Sequence, residues 1–223
     1  MTSAKKIISS LLFLTMVFGG DRIAITTKVI GSVQYIRGNK GSKVLKKGHI
    51  IESGDILKTN KDGFAALLFI DDKSALKIKE NSELIITGKR GARAIAKKIN
   101  MAGGTIRAQV GKQKKGGFTV QTSVSVASVK GTDFWLIADK NTGDSVIGLE
   151  GTIMLLNQLS GDSLDVTSGL TGLSLPSGSV QSFKTDPKTI PEDPTGGQTG
   201  EQQLKIEFQD ASGKKKTLII EYK

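Results

Sequence analysis

The stretch SVASVKGTDFWLIADKNTGDSVIGLEGTIMLL, residues 125–156, holds two strand-like apolar runs on either side of a polar knot, Asp139-Lys140-Asn141-Thr142-Gly143-Asp144. The first run is itself broken by Lys130-Gly131-Thr132-Asp133, where a strand would be expected to continue. Glycine inside a strand marks a bulge or a close backbone approach. Gly131 therefore reads as a joint of the fold, with the Thr132 hydroxyl expected to return a hydrogen bond to the disturbed backbone. The knot reads as a strand-to-strand turn, because Asn and Gly tolerate the positive φ of tight hairpins.

The same pattern extends in both directions. From Val29 onward, short alternating runs are separated by turn residues at intervals of about ten, as in an all-β sandwich, barrel or solenoid. Residues 64–70, FAALLFI, are apolar on both faces and predict a central strand covered on two sides. Leu76 and Ile78 alternate with Lys77 and Lys79, and Ile106, Ala108 and Val110 with Arg107 and Gln109, so each of these strands has one wet, cationic face. Phe118, Val120, Thr122, Val124 and Val126 fall on one face of what reads as a single long strand. Arg90 to Lys98, with Ala92, Ala94 and Ala96, is the one stretch that suits a short helix. The region between Ser168 and Ser182 is rich in glycine and serine, with Leu170, Leu173 and Leu175 as occasional anchors.

Composition changes at residues 185–202, where three prolines and three glycines with almost no apolar residue predict a solvated linker. Beyond it, residues 203–223 alternate through Leu204, Ile206 and Phe208, turn at Asp210-Ala211-Ser212-Gly213, and alternate back through Leu218, Ile220 and Tyr222. A two-stranded hairpin is marginal alone in water, so it is expected to dock on a sheet edge, its own or a partner's. The organisation that follows is a leader over 1–20, an all-β domain of many short strands over 21–184, a linker over 185–202 and a C-terminal β-hairpin over 203–223.

The leader is read from Lys5 and Lys6, the apolar run from Ile7 to Phe18, and Gly19-Gly20, the order of a cleaved secretory signal. The apolar run falls short of the roughly 20 residues that span a bilayer, and no cysteine follows it to carry a lipid. Removing Lys5 and Lys6 lowers the formal charge from +11 to +9, so an exported, periplasmic product stays strongly basic. Its polyanionic partners there would be acidic glycans or lipid headgroups, with peripheral membrane contact through the basic surface. Nucleic acid is not expected, because Lys112-Gln113-Lys114-Lys115 and Lys214-Lys215-Lys216 lack interleaved aromatics for base stacking.

Catalytic constellations are not evident. With no cysteine in the chain, thiol nucleophiles, disulfides and zinc-thiolate sites are removed together. His49 is the single histidine, beside Gly48 in a turn-like stretch, and reads as a solvated turn residue. Gly111-Lys112 lacks the spacing and the following Ser or Thr of a phosphate loop. The 139–144 knot carries acids, but its glycine falls one place early for a calcium loop and its flanks are strands. Glycoside chemistry would need two acids meeting in space, and no spacing proposes such a pair. The chain reads as a non-enzymatic binding module with no cofactor and no metal.

The order of these signals resembles the FecR family from about Val29 to Phe183. The pieces are Val29-Ile30-Gly31-Ser32-Val33; Gly54-Asp55 with Leu57 and Thr59; Asp62-Gly63 with Ala65, Leu67 and Phe69; and Asp72, Ser74, Leu76 and Ile78. Asn81-Ser82 then leads to Leu84, Gly104-Thr105-Ile106 follows, and Phe118, Val120 and Thr122 come next. Lys130-Gly131-Thr132 is similar to the family's arginine-glycine-threonine signature, and Glu150-Gly151 with Ile153 and Leu155 closes the set. Lys130 keeps the charge of the usual arginine but not its bidentate fork. The resemblance implies an extracytoplasmic solenoid-like or sandwich-like β domain acting by protein contact, with Gly54, Asp55, Lys130, Gly131, Thr132, Glu150 and Gly151 as its structural motif. In the family's best-known members this domain passes a signal from an outer-membrane siderophore receptor to a sigma factor. No cytoplasmic sigma-binding domain precedes the apolar segment here, so a free-standing module that contacts an envelope protein or anionic glycan is expected. Iron-siderophore regulation with a separate sigma-factor system is the alternative, and a carbohydrate-active envelope enzyme a third.

Overall fold

A computed structural model describes residues 21–92, 94–112, 117–195, 202–209, 213 and 215–222. The expected leader and most of the 112–115 lysine cluster lie outside these residues. The first strands are β1 (Arg22–Ile30), β2 (Val33–Ile36), β3 (Lys43–Val44), β4 (Ile50–Glu52), β5 (Asp55–Thr59), β6 (Phe64–Phe69), β7 (Ala75–Ile78) and β8 (Glu83–Arg90). There follow β9 (Ile95–Val110), β10 (Phe118–Gln121), β11 (Ser125–Val129), β12 (Thr132–Asp139) and β13 (Gly143–Glu150). The series ends with β14 (Thr152–Asn157), β15 (Ser163–Thr167), β16 (Leu170–Ser174), β17 (Val180–Lys184) and a separate hairpin, β18 (Gln202–Gln209) and β19 (Lys215–Tyr222).

Strands β1 to β17 make one continuous sheet folded over on itself, open rather than closed into a barrel. The front layer runs β4-β1-β6-β7-β9-β12-β13-β16-β17, antiparallel throughout. The back layer runs β3-β2-β5-β8-β9-β10-β11-β14-β15, antiparallel except for the parallel β9–β10 pair. Strand β9 belongs to both. Its first part pairs with β8 and β10 at the back, and residues 104–110 pair with β12 at the front. The layers share one apolar core, in which Phe69 of β6 meets Phe118 of β10 edge to face at 5.8 Å. The result is the sandwich form of the expected all-β fold.

The places where the chain changes layer are visible as a switch in alternation. In β9 the buried positions are Ile95, Lys97, Ile99 and Met101 before Gly103-Gly104, but Ile106, Ala108 and Val110 after it. In β11 they are Ser125, Ala127 and Val129; past Gly131 the core-facing ones are Thr132, Phe134 and Leu136. Because side chains alternate with period two, a change of phase by one residue sends the apolar set to the opposite face. A chain that swaps layers needs that change to keep facing the same core. Gly131 (φ +83°) and Gly151 (φ +79°) make two of these turns in the left-handed region that glycine enters most readily.

Four expectations change. Arg90 to Lys98 does not form a helix; from Ile95 it is strand, held by β8 and β10 and started by the Ile95 N–H donating to Asp71. Here tertiary pairing outweighs the helical preference of alanine. The run from Phe118 to Val126 is a hairpin, because the Thr122 hydroxyl accepts from the N–H groups of Val124 and Ser125 and turns the chain without glycine or proline. The C-terminal hairpin pairs only with itself among the described residues, and instead of joining an edge it packs Ile206 and Ile220 on Ile25 and Leu68 of the front layer. That contact helps cover the second face of β6, whose residues are all buried as expected of a central strand. Finally, part of the 185–202 linker is not solvated: the Asp193 side chain is 8% exposed.

Candidate interaction site

The outer face of the front layer carries a row of cross-strand neighbours, Lys77, Arg107, Trp135, Ile147, Thr171 and Phe183, one from each of β7, β9, β12, β13, β16 and β17. Trp135 alternates outward from Phe134 and Leu136, yet it is only 1% exposed, as is Ile147. The segment after β17 follows this row. Thr185 donates its N–H to Gly169, its hydroxyl meets that of Thr171 at 2.9 Å, a short 3-10 turn spans Pro187–Thr189, and Asp193 reaches Lys77 and Arg107.

At the far end of the row the charges interlock. Arg107 donates Nε and Nη2 to the two carboxylate oxygens of Asp133, at 2.9 and 2.7 Å, and Nη1 to Asp193 at 2.9 Å. Lys77 Nζ donates to the same Asp193 oxygen at 2.7 Å and to the Thr195 hydroxyl at 3.0 Å. Gln109 adds a bond to Asp133, and the guanidinium lies 5.8 Å from the centre of the Trp135 ring. Burial raises the Asp193 carboxyl, but hydrogen bonds from Lys77 and Thr195 outweigh it and hold the group down at about 2. The bond to Asp133 raises the Arg107 guanidinium above its ordinary value against the opposing effect of burial. Bidentate, charge-assisted pairs of this kind combine strength with a fixed geometry.

The signature residues supply the joint beside this row. Turning the chain at Gly131 points Thr132 inward and Asp133 outward onto Arg107. A Cβ on Gly151 would stand 2.6 Å from the Gly131 carbonyl oxygen and 2.8 Å from the Thr132 methyl, so the Lys-Gly-Thr and Glu-Gly turns are packed together. Lys130 and Glu150 are exposed at their rim. The Thr132 hydroxyl does not make the expected backbone bond: it is buried and finds no partner among the described residues, while its methyl packs on Gly151. Gly54 and Asp55 lie elsewhere, four strands away along the back layer. Gly54 (φ +94°) turns β4 into β5, and the fully buried Asp55 accepts from Arg37 Nε and Nη2 at 2.8 and 2.7 Å and from the Glu52 N–H. The motif is thus two separate clamps rather than one site.

The other candidates resolve into structural roles. In the 139–144 knot, Asp139 folds back on the N–H groups of Asn141 and Thr142, which lower its carboxyl. Asp144 points the other way, into a buried cluster where the hydroxyls of Thr122 and Ser125 donate to it. Burial raises its carboxyl, only partly offset by those bonds. The two acids diverge and do not form a cation cradle, and no cluster of metal-ligating side chains occurs among the described residues. His49 is half-buried rather than solvated: its ring lies tilted against Tyr35 at 4.1 Å, and burial, then Arg37, lower its basicity. Lys97 escapes a reading of the residues as surface charge. Its side chain is 0% exposed, gripped by Asp71 and Asp72 at 2.9 and 2.8 Å and set 5.3 Å from the Phe69 ring centre. Its place in the alternation with Ile95 and Ile99 was the available signal.

Residues 55–154 match the family model described as FecR protein. Two crystal structures of a candidate anti-sigma factor from Parabacteroides distasonis ATCC 8503, at 1.65 and 2.50 Å resolution, share the fold with TM-scores of 0.50 and 0.51. Each is 12% identical over 60% of this chain, which spans 61% of the length of those structures, so the likeness is one of fold alone. No curated protein matches the chain in sequence.

Proposed function

We propose, from the match of residues 55–154 to the FecR family model, that the chain is an exported, non-enzymatic module of the signalling and regulatory kind that works by gripping a cell-envelope protein or anionic polymer. The observation that carries this reading is the charged row of the front layer. Lys77 and Arg107, the latter fixed by Asp133 and set beside the Trp135 ring, fall inside the matched region and hold Asp193, which lies outside it. A surface that orders an extended segment through charge-assisted bonds over a flat aromatic is built for contact rather than turnover. The formal charge of +9 left once Lys5 and Lys6 depart with the leader favours acidic partners. Export is supported by the basic, apolar and small-residue order of residues 5–20.

Cross-linking in intact cells, followed by fractionation and mass spectrometry of what is joined to the chain, tests the reading. The expected outcome is one specific envelope partner joined to a chain whose N-terminus begins near residue 20. Recovery of the intact N-terminus in the cytoplasm would overturn export, and a purified chain that turns over an envelope glycan would overturn the non-enzymatic role.

A further inference from the structure

The segment that covers the front row is attached in an unusual way. Pro187, Pro191 and Pro194 remove three backbone donors from it. Among the described residues, 187–195 make no backbone hydrogen bond to the strands beneath; their bonds to the sheet run through the side chains of Asp193 and Thr195. The surface below, by contrast, is fixed by ladder pairing and by the Arg107–Asp133 fork. Asp133 answers one of the two cations. Without Asp193, Lys77 Nζ and Arg107 Nη1 would both lose their carboxylate beside a tryptophan that is otherwise 1% exposed. The row therefore demands a carboxylate on an extended chain, and only the side chains of Asp193 and Thr195 latch the present occupant, Asp193 supplying the charge.

We propose that the Lys77-Arg107-Trp135 row is the binding surface for an extended, carboxylate-bearing polypeptide of the partner protein, and that residues 187–195 occupy it as a removable internal stand-in. This rests on the reading of the chain as a contact module and specifies its partner as an acidic peptide segment. Binding then exchanges one carboxylate for another, so that the surface is never left with an unanswered buried cation.

The test uses the full chain and a labelled peptide of the sequence PKTIPEDPT, with acrylamide quenching of Trp135, the single tryptophan, as the monitor of cover. In Asp193→Asn the latch is weakened, quenching should rise, and the peptide should bind at least about tenfold more tightly than to wild type, restoring the shielding of Trp135. A peptide with asparagine in place of its aspartate should not bind, and adding Lys77→Met to Asp193→Asn should abolish binding. If Asp193→Asn does not fold, quenching in the wild-type chain should still rise with sodium chloride, since salt screens the latch. The proposal is overturned if Trp135 stays shielded under both treatments, or if it opens and the peptide still fails to bind. It is also overturned if polygalacturonate displaces the segment while the peptide does not, or if the wild-type chain dimerises by exchanging segments between copies. Cellular cross-linking separates the two levels: a partner captured equally by wild type and Lys77→Met leaves the module reading intact and removes this surface.

Discussion

Across the front layer, the row of Lys77, Arg107, Trp135 and Ile147 lies under the C-terminal segment. Across the back layer, the corresponding outer row of Ile56, Ile85, Asn100, Gln121 and Val126 ranges from half-buried to exposed, and nothing covers it among the described residues. Ile85 is 38% exposed where Trp135 is 1% exposed. Both rows arise from the same alternation of inward and outward residues, and antiparallel sheets commonly leave one face wet. What separates them is chain that arrives late: residues 185–195 and the hairpin both go to the front. An outward position in a strand therefore says only which side a residue faces, and whether that side is surface depends on what lies over it.

The sharpest way to break this comparison is to shorten one residue on each face. Trp135→Ala should cost about 3–5 kcal/mol, as for a large aromatic removed from a core, while Ile85→Ala should cost about 1 kcal/mol or less. Urea denaturation of the two variants measures the difference, and equal losses would mean that the front row is not covered. Gly151→Val comes next at about 3 kcal/mol, because its positive φ and its approach to the Gly131 carbonyl both exclude a β-branched side chain. Since this joint links the layers, a single cooperative transition at a lower urea midpoint is expected.

A gentler probe is pH. The Asp193 carboxyl is depressed to about 2 in the fold, so its contribution is fully present above its ordinary value of 3.8 and is lost as pH falls through about 2. Trp135 should therefore remain shielded from acrylamide at pH 5 and lose that shielding in the acid range below 3.8, whereas the back face should show no change tied to this window. The smallest effect is expected from Asp139→Ala. Its carboxylate serves only the exposed turn between β12 and β13, so Tm should move by no more than about 2 °C, and calcium should leave Tm unchanged in both forms.

Much of the domain was legible residue by residue. The run of Phe64 to Phe69 announced a strand buried on both faces, and Leu204 to Tyr222 a hairpin. Gly131 inside an apolar run marked a joint, because glycine interrupts a strand at a bulge or a close approach; the change of phase across it emerges only in the folded chain. Other features were hidden for definite reasons. Thr122 makes its turn with a hydroxyl rather than with glycine or proline, so the alternation around it looks unbroken. Ala92, Ala94 and Ala96 favoured a helix that the neighbouring strands overrule. Asp193 looked like one more charge in a proline-rich linker.

Local chemistry is enough to determine that this chain is built of short strands and where its glycine-marked turns fall, because those properties depend on residues next to one another. The cover on the front layer, the burial of Lys97 between Asp71 and Asp72, and the meeting of Asp193 with Lys77 and Arg107 were decided only in three dimensions. The partners of Asp193 stand 116 and 86 positions away along the chain. A charge carries no mark of a partner so distant: its hydration or its pairing is settled by which surfaces the folded chain brings together, and that depends on the packing of the whole.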